Sequence, residues 1–80
     1  MKEHFPQYRR LSNGKSYYAI HSHIEMEEWQ SINGRWLHYS IKATILPERT
    51  LIADVLDGLN GAYESLSESE WEAWKATYNP

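Results

Sequence analysis

Between Arg35 and Leu46 the chain reads RWLHYSIKATIL, and this stretch constrains the fold more than any other. Leu37, Tyr39, Ile41, Ala43 and Ile45 fall on one side of an extended backbone. Trp36, His38, Ser40, Lys42 and Thr44 fall on the other. Alternation of this length, in aromatic and β-branched residues, marks a strand with one buried face. Asn33-Gly34 stands before it as a turn, and Pro47 is expected to end it. We expect this strand to be central, with its apolar side covered by the elements that follow.

The upstream segments read as further strands. Tyr8–Leu11 and Lys15–Ile20 flank Ser12-Asn13-Gly14, and Asn-Gly is a strong hairpin signal because both residues tolerate positive φ. A two-residue turn sets Arg10 opposite Tyr17 and Tyr8 opposite Ala19. A three-residue loop sets Tyr8 opposite Tyr18 and Arg9 opposite Tyr17. The sequence leaves both registers open. Residues 1–7 are expected to be frayed, with Phe5 and Pro6 tucked down.

Ser22–Ile32 carries two conflicting signals. Ser22 and Glu25 make a helix capping box, with Glu27 and Glu28 also suited to a helix start. As a strand, the segment pairs across Asn33-Gly34. It then sets Glu25 opposite Lys42, Met26 opposite Ile41, Trp29 opposite His38 and Ser31 opposite Trp36. Its apolar residues spread over more than half a helical wheel, which favours the strand.

After Pro47 the period changes. Leu51, Ile52, Val55, Leu56 and Leu59 form the stripe of an amphipathic helix, with Thr50 as its N-cap and Gly58 at its end. Asp57–Gly61 is a loop by composition. Ala62–Leu66 is short and extended, suited to a sheet edge. Ser67 and Glu70 form a second capping box, with Leu66 and Trp71 placed as a hydrophobic staple. The predicted last helix runs from Glu68 to Thr77, with Trp71, Trp74 and Tyr78 on one face.

Strands followed by helices predict an α+β domain, 1–80, with a mostly antiparallel sheet of four to five strands. Both C-terminal helical segments are expected on one face of that sheet. At 80 residues the chain allows one small core. It has no cysteine, which removes disulfides and thiolate chemistry. No segment reaches membrane-spanning length, and no apolar leader is evident; a cytoplasmic location is the expectation.

Charge is uneven. Residues 1–47 hold six basic and four acidic side chains, and residues 48–80 hold two basic and seven acidic. No basic stripe suggests nucleic acid.

Four groups of residues are candidates for function. His21 and His23 share a strand face and could meet a metal, completed by His38 or Glu25, although histidines beside a turn are more often plain surface. Trp29, Trp36 and His38 share the polar side of the alternating strand and could line a binding patch, with His38 as a base. Their structural alternative is packing beneath a helix. Glu25, Glu27 and Glu28 suit acid–base work or a solvated face. Four Trp and six Tyr exceed what so small a core needs, which suits a protein interface or a homodimer. No cofactor is implied, and no phosphate loop or catalytic signature occurs. The expected function is a non-enzymatic protein-interaction module, with a homodimer as one form of it. The alternative is a small-ligand or metal-binding domain using His21, His23 and His38.

Overall fold

The structure, a computed structural model, describes residues 4–77. Five strands form one antiparallel sheet: β1 (Gln7–Leu11), β2 (Ser16–Ile20), β3 (Glu25–Ile32), β4 (Arg35–Lys42) and β5 (Tyr63–Leu66). Between β4 and β5 run α1 (Leu46–Asp57) and a single 3₁₀ turn (Leu59–Gly61). The last element is α2 (Glu68–Thr77). The strand order is β4-β3-β2-β1-β5, so β1 to β4 meander and β5 returns to lie beside β1. The fold is α+β, and Ser22–Ile32 contributes a strand.

Both turns hold Asn-Gly, but they use it differently. Asn33 and Gly34 both take positive φ, 53° and 75°, and so join β3 to β4 in a two-residue turn. In the first hairpin Gly14 has positive φ (74°). There the Asn13 side chain accepts the Lys15 N–H at 2.8 Å. The register is that of the two-residue alternative, with Arg10 opposite Tyr17 and Tyr8 opposite Ala19. The β3–β4 register sets Glu25 opposite Lys42, Met26 opposite Ile41, Trp29 opposite His38 and Ser31 opposite Trp36.

The middle of the sheet is β2, not Arg35–Leu46. Tyr18, Ala19 and Ile20 are all buried, whereas β4 lies at an edge with Leu37 and Tyr39 exposed. The physical reason lies in what alternation means. A clean period of two reports burial on one side only, which an edge strand satisfies. A strand covered on both sides reads as a continuous apolar run, as Tyr17–Ile20 does.

The helices pack on opposite faces of the sheet rather than together. Ile52 and Val55 of α1 join Tyr18, Ile20, Met26 and Ala43, with Phe5, Leu11, Ile41, Leu56 and Tyr63 packed around them. Trp71 of α2 joins Ala19 and Trp29, with Tyr8, Tyr17, Trp36, Leu66 and Trp74 around them. The crossing is made by β5. Successive strand residues face opposite sides, so a four-residue strand that begins on one face ends on the other. Tyr63 belongs to the α1 cluster and Leu66 to the α2 cluster.

Pro47 opens a helix instead of only closing a strand. It sits in the first turn of α1, where its missing N–H costs nothing. Thr50 is not the cap. The N-cap is Ile45, and the Glu48 carboxylate reaches back to accept the Thr44 N–H at 3.0 Å and the Ile45 N–H at 3.4 Å. Gly58 ends α1 at φ 92°, its N–H donating to the Asp54 carbonyl. A Cβ there would lie 3.3 Å from the Tyr63 carbonyl oxygen. The last turn of α1 holds no basic residue. Arg9 supplies that charge from β1, donating to the Leu56 carbonyl at 3.1 Å.

In α2, Ser67 and Glu70 cap each other. The Ser67 N–H donates to Glu70 Oε1 at 2.8 Å, and the Glu70 N–H donates to Ser67 Oγ at 3.1 Å. The helix lays its tryptophans on an aromatic floor. Trp71 stacks on Tyr8 at 4.5 Å, and Trp74 stacks on Tyr17 at 4.0 Å. Phe5 packs against the α1 core and Gln7 already belongs to β1. Residues 1–3 and Tyr78, assigned above to a frayed start and to the helix face, lie outside the described residues.

Candidate functional site

Among the described residues two places stand out, and both involve β4. The first is a row of charged and imidazole groups on the α2 face, across three neighbouring segments. His21 follows β2, Glu27 lies on β3 and His38 lies on β4. Glu27 Oε2 is 2.6 Å from His21 Nε2, and Glu27 Oε1 is 2.9 Å from His38 Nε2. Each carboxylate oxygen thus serves one imidazole. Burial pushes the Glu27 carboxyl up. The bonds and charges of His21 and His38 outweigh it and hold its pKa below the ordinary carboxylate value.

This arrangement differs from the histidine grouping expected from sequence. His21 and His38 do come together, but through Glu27 rather than Glu25. His23 turns elsewhere, its ring edge-on to Phe5 at 5.3 Å. Among the described residues, no group of three or more His, Cys, Asp or Glu side chains is placed to hold a metal ion. The role of Glu27 could have been found from register alone. His21 continues the β2 ladder opposite Glu25, and His38 stands opposite Trp29, so Glu27 is the diagonal neighbour of both.

The aromatic members of the expected patch divide. Trp29 is buried under α2, edge-on to Trp71 at 5.3 Å and to Trp74 at 5.8 Å. Trp36 is half-buried and packs its ring against Trp74 and Tyr17. His38 is exposed and leans on Trp29 at 4.7 Å. Lys75 Nζ stands 4.5 Å over the Trp29 ring. The tryptophans therefore act as the floor and wall of the α2 cluster, and His38 is the most open of the three.

The second place is the outer side of β4 and its α1 face. Among the described residues, no strand pairs with the outer side of β4. The Ala43 N–H donates to the Ile24 carbonyl at 2.7 Å, and Arg35 faces Ile32 across the turn. Backbone groups alternate in direction along an antiparallel strand. The odd residues therefore bond to β3, and Trp36, His38, Ser40 and Lys42 point their N–H and C=O groups outward. The strand is eight residues long, contains no proline and pairs with β3 without a bulge.

Its α1 face is apolar and only partly covered. Leu37 is 38% and Tyr39 42% exposed, and just past the strand Ile45 and Leu46 reach 58% and 74%. Geometry explains the exposure. A helix about 10 Å across covers roughly two strands spaced about 4.8 Å apart. Helix α1 comes closest to β1 and β5 and meets the β4 end of the sheet only around Ile41 and Ala43. Sequence reading placed Leu37 and Tyr39 in the core, because alternation gives the side of a residue and not the reach of the helix above it.

No family model matches this chain, and neither the curated proteins nor the solved structures searched contain a match. Among the described residues, no helix is long and apolar enough to cross a membrane.

Proposed function

We propose that this chain is a cytoplasmic, non-enzymatic protein-interaction module that takes a protein partner along the β4 edge. One observation carries the reading: β4 joins a long unpaired backbone edge to the exposed side chains of Leu37 and Tyr39. Strand addition uses these two features together. Main-chain hydrogen bonds supply attraction, and alternate side chains supply selectivity. Proteins that keep such an edge solitary interrupt it with proline, a bulge or inward-pointing charge. In β4 the charged residues stand at the two ends, Arg35 and Lys42, and leave the middle apolar on one side.

The test compares the chain with a Leu37→Lys/Tyr39→Lys variant in affinity capture, using two distinguishable tags so that a second copy counts as a partner. Near-ultraviolet circular dichroism verifies that the variant keeps its aromatic packing. The expected result is a partner held by the unaltered chain and lost from the variant. Identical partners on both overturn the reading.

A further inference from the structure

We infer that the partner of the β4 edge is β4 of a second copy, paired antiparallel about a two-fold axis at Tyr39, so that two five-stranded sheets become one of ten. This rests on the reading of β4 as the interaction edge and adds the occupant and the register.

The argument begins with symmetry. A two-fold axis perpendicular to the sheet brings like faces together, so residues opposite one another must lie on the same face. That restricts self-pairing to registers in which partner numbers share parity. The outward-pointing backbone groups belong to Trp36, His38, Ser40 and Lys42, and these must form the hydrogen-bonded pairs.

Three registers centre on the strand. Centred on His38, the pairing sets His38 against itself, although each copy already draws that imidazole to Glu27. Centred on Ser40, it sets His38 against Lys42. Centred on Tyr39, it avoids both oppositions. Trp36 then faces Lys42 in hydrogen-bonded pairs, which places a cation beside an indole. His38 faces Ser40. On the other face Leu37 meets Ile41, and Tyr39 meets its own copy. The ladder then runs from Arg35 against Ala43 at one end to the same pair at the other.

The side chains suit the same register. Leu37 and Tyr39 are exposed and Ile41 is half-buried on the face that α1 leaves open. Pairing about Tyr39 joins the Leu37–Tyr39–Ile41 row of one copy to that of the other as one apolar strip. Both ends of the strip carry Ile45 and Leu46, the next exposed apolar residues along the chain. The chain is thus complementary to itself in backbone and in apolar surface.

The native chain has no cysteine, so single cysteines report the register directly. Residues facing each other in a non-hydrogen-bonded pair lie about 4.5 Å apart at Cα, within the span of a disulfide. Under mild oxidation Tyr39→Cys should form a reducible dimer. Leu37→Cys alone should form little, and a mixture of Leu37→Cys with Ile41→Cys should form the mixed dimer. Sedimentation of the unaltered chain should show a dimer, and Leu37→Lys/Tyr39→Lys should raise its dissociation constant about thirtyfold or more. Linking through His38→Cys in place of Tyr39→Cys overturns the register. A chain that sediments as a monomer at high concentration, with Tyr39→Cys unlinked, overturns self-pairing. A partner other than itself, lost in the capture comparison with the lysine variant, would then still uphold the edge. The absence of any variant-dependent partner would remove both.

Discussion

The two edges of this sheet are built to opposite ends. The β5 edge is four residues long and lies between the two helices, entered from the α1 face at Tyr63 and left toward α2 at Leu66. A charged pair joins it to β1, with Arg10 Nε donating to Glu64 Oε1 at 3.0 Å. The β4 edge is twice as long and carries an unbroken apolar row on its α1 face, of which Leu37 and Tyr39 are exposed. The difference follows from how few elements the chain has. Two helices cannot cover five strands on both faces, and the ones present gather where the chain enters and leaves β5. What remains open is the outer side of β4 and the part of its α1 face that holds Leu37 and Tyr39. Shortness, a charged pair and flanking helices close one edge, whereas the other is long, carries its charges only at its ends and exposes Leu37 and Tyr39 between them.

The largest expected effect breaks the closed side. Trp71→Ala removes the stack on Tyr8 and the contact with Trp29, and should cost about 3–5 kcal/mol, as burial of a large aromatic implies. A urea titration followed by fluorescence measures this, and an unchanged midpoint would show that α2 does not hold that side. Next, Gly58→Ala tests the joint between α1 and β5. A side chain at φ 92°, 3.3 Å from the Tyr63 carbonyl, should cost about 1–2 kcal/mol. The same titration reads it, and a stability equal to the parent would mean the joint yields.

The acid limb tests the His21–Glu27–His38 row, which ties the open hairpin arm together. Its sign follows from the lowered pKa of Glu27. The stabilisation is fully present above the ordinary value of 4.5, and is lost as pH falls through the lower folded value. Glu27→Gln should therefore flatten the acid limb of a stability-versus-pH curve, and parallel curves would exclude the link. The smallest effect belongs to Glu64→Gln. Both partners of that pair are about four-tenths exposed, so its loss should cost less than about 1 kcal/mol. A larger loss would mean that charge, rather than length and cover, closes the β5 edge.

Much of this contrast could be read from residues whose signals are local. Asn33-Gly34 and the alternation on either side of it specify the β3–β4 register. Ser67, Glu70 and Trp71 specify α2, because a cap needs only its own turn. Misreadings arose where the signal depends on distant parts. Alternation in Arg35–Leu46 says that one side is apolar, and it cannot say whether another strand lies beyond. The faces taken by α1 and α2 depend on the number of residues in β5, which no composition rule supplies. The start of α1 was hidden because Glu48 caps it from inside the helix, with isoleucine at the N-cap. His21, His38 and Glu27 all stand out in sequence, but joining the two histidines through Glu27 needs the strand register, and alternation alone puts Leu37 and Tyr39 with the core.

Amide hydrogen exchange along β4, measured over a range of protein concentrations, tests the central claim most directly. The outward amides of Trp36, His38, Ser40 and Lys42 should exchange quickly in dilute solution and become protected as concentration rises. Those of Leu37, Tyr39 and Ile41, bonded to β3, should stay protected throughout. Fast exchange at the four outward amides at every concentration, or protection that rises at β5 instead, would contradict it.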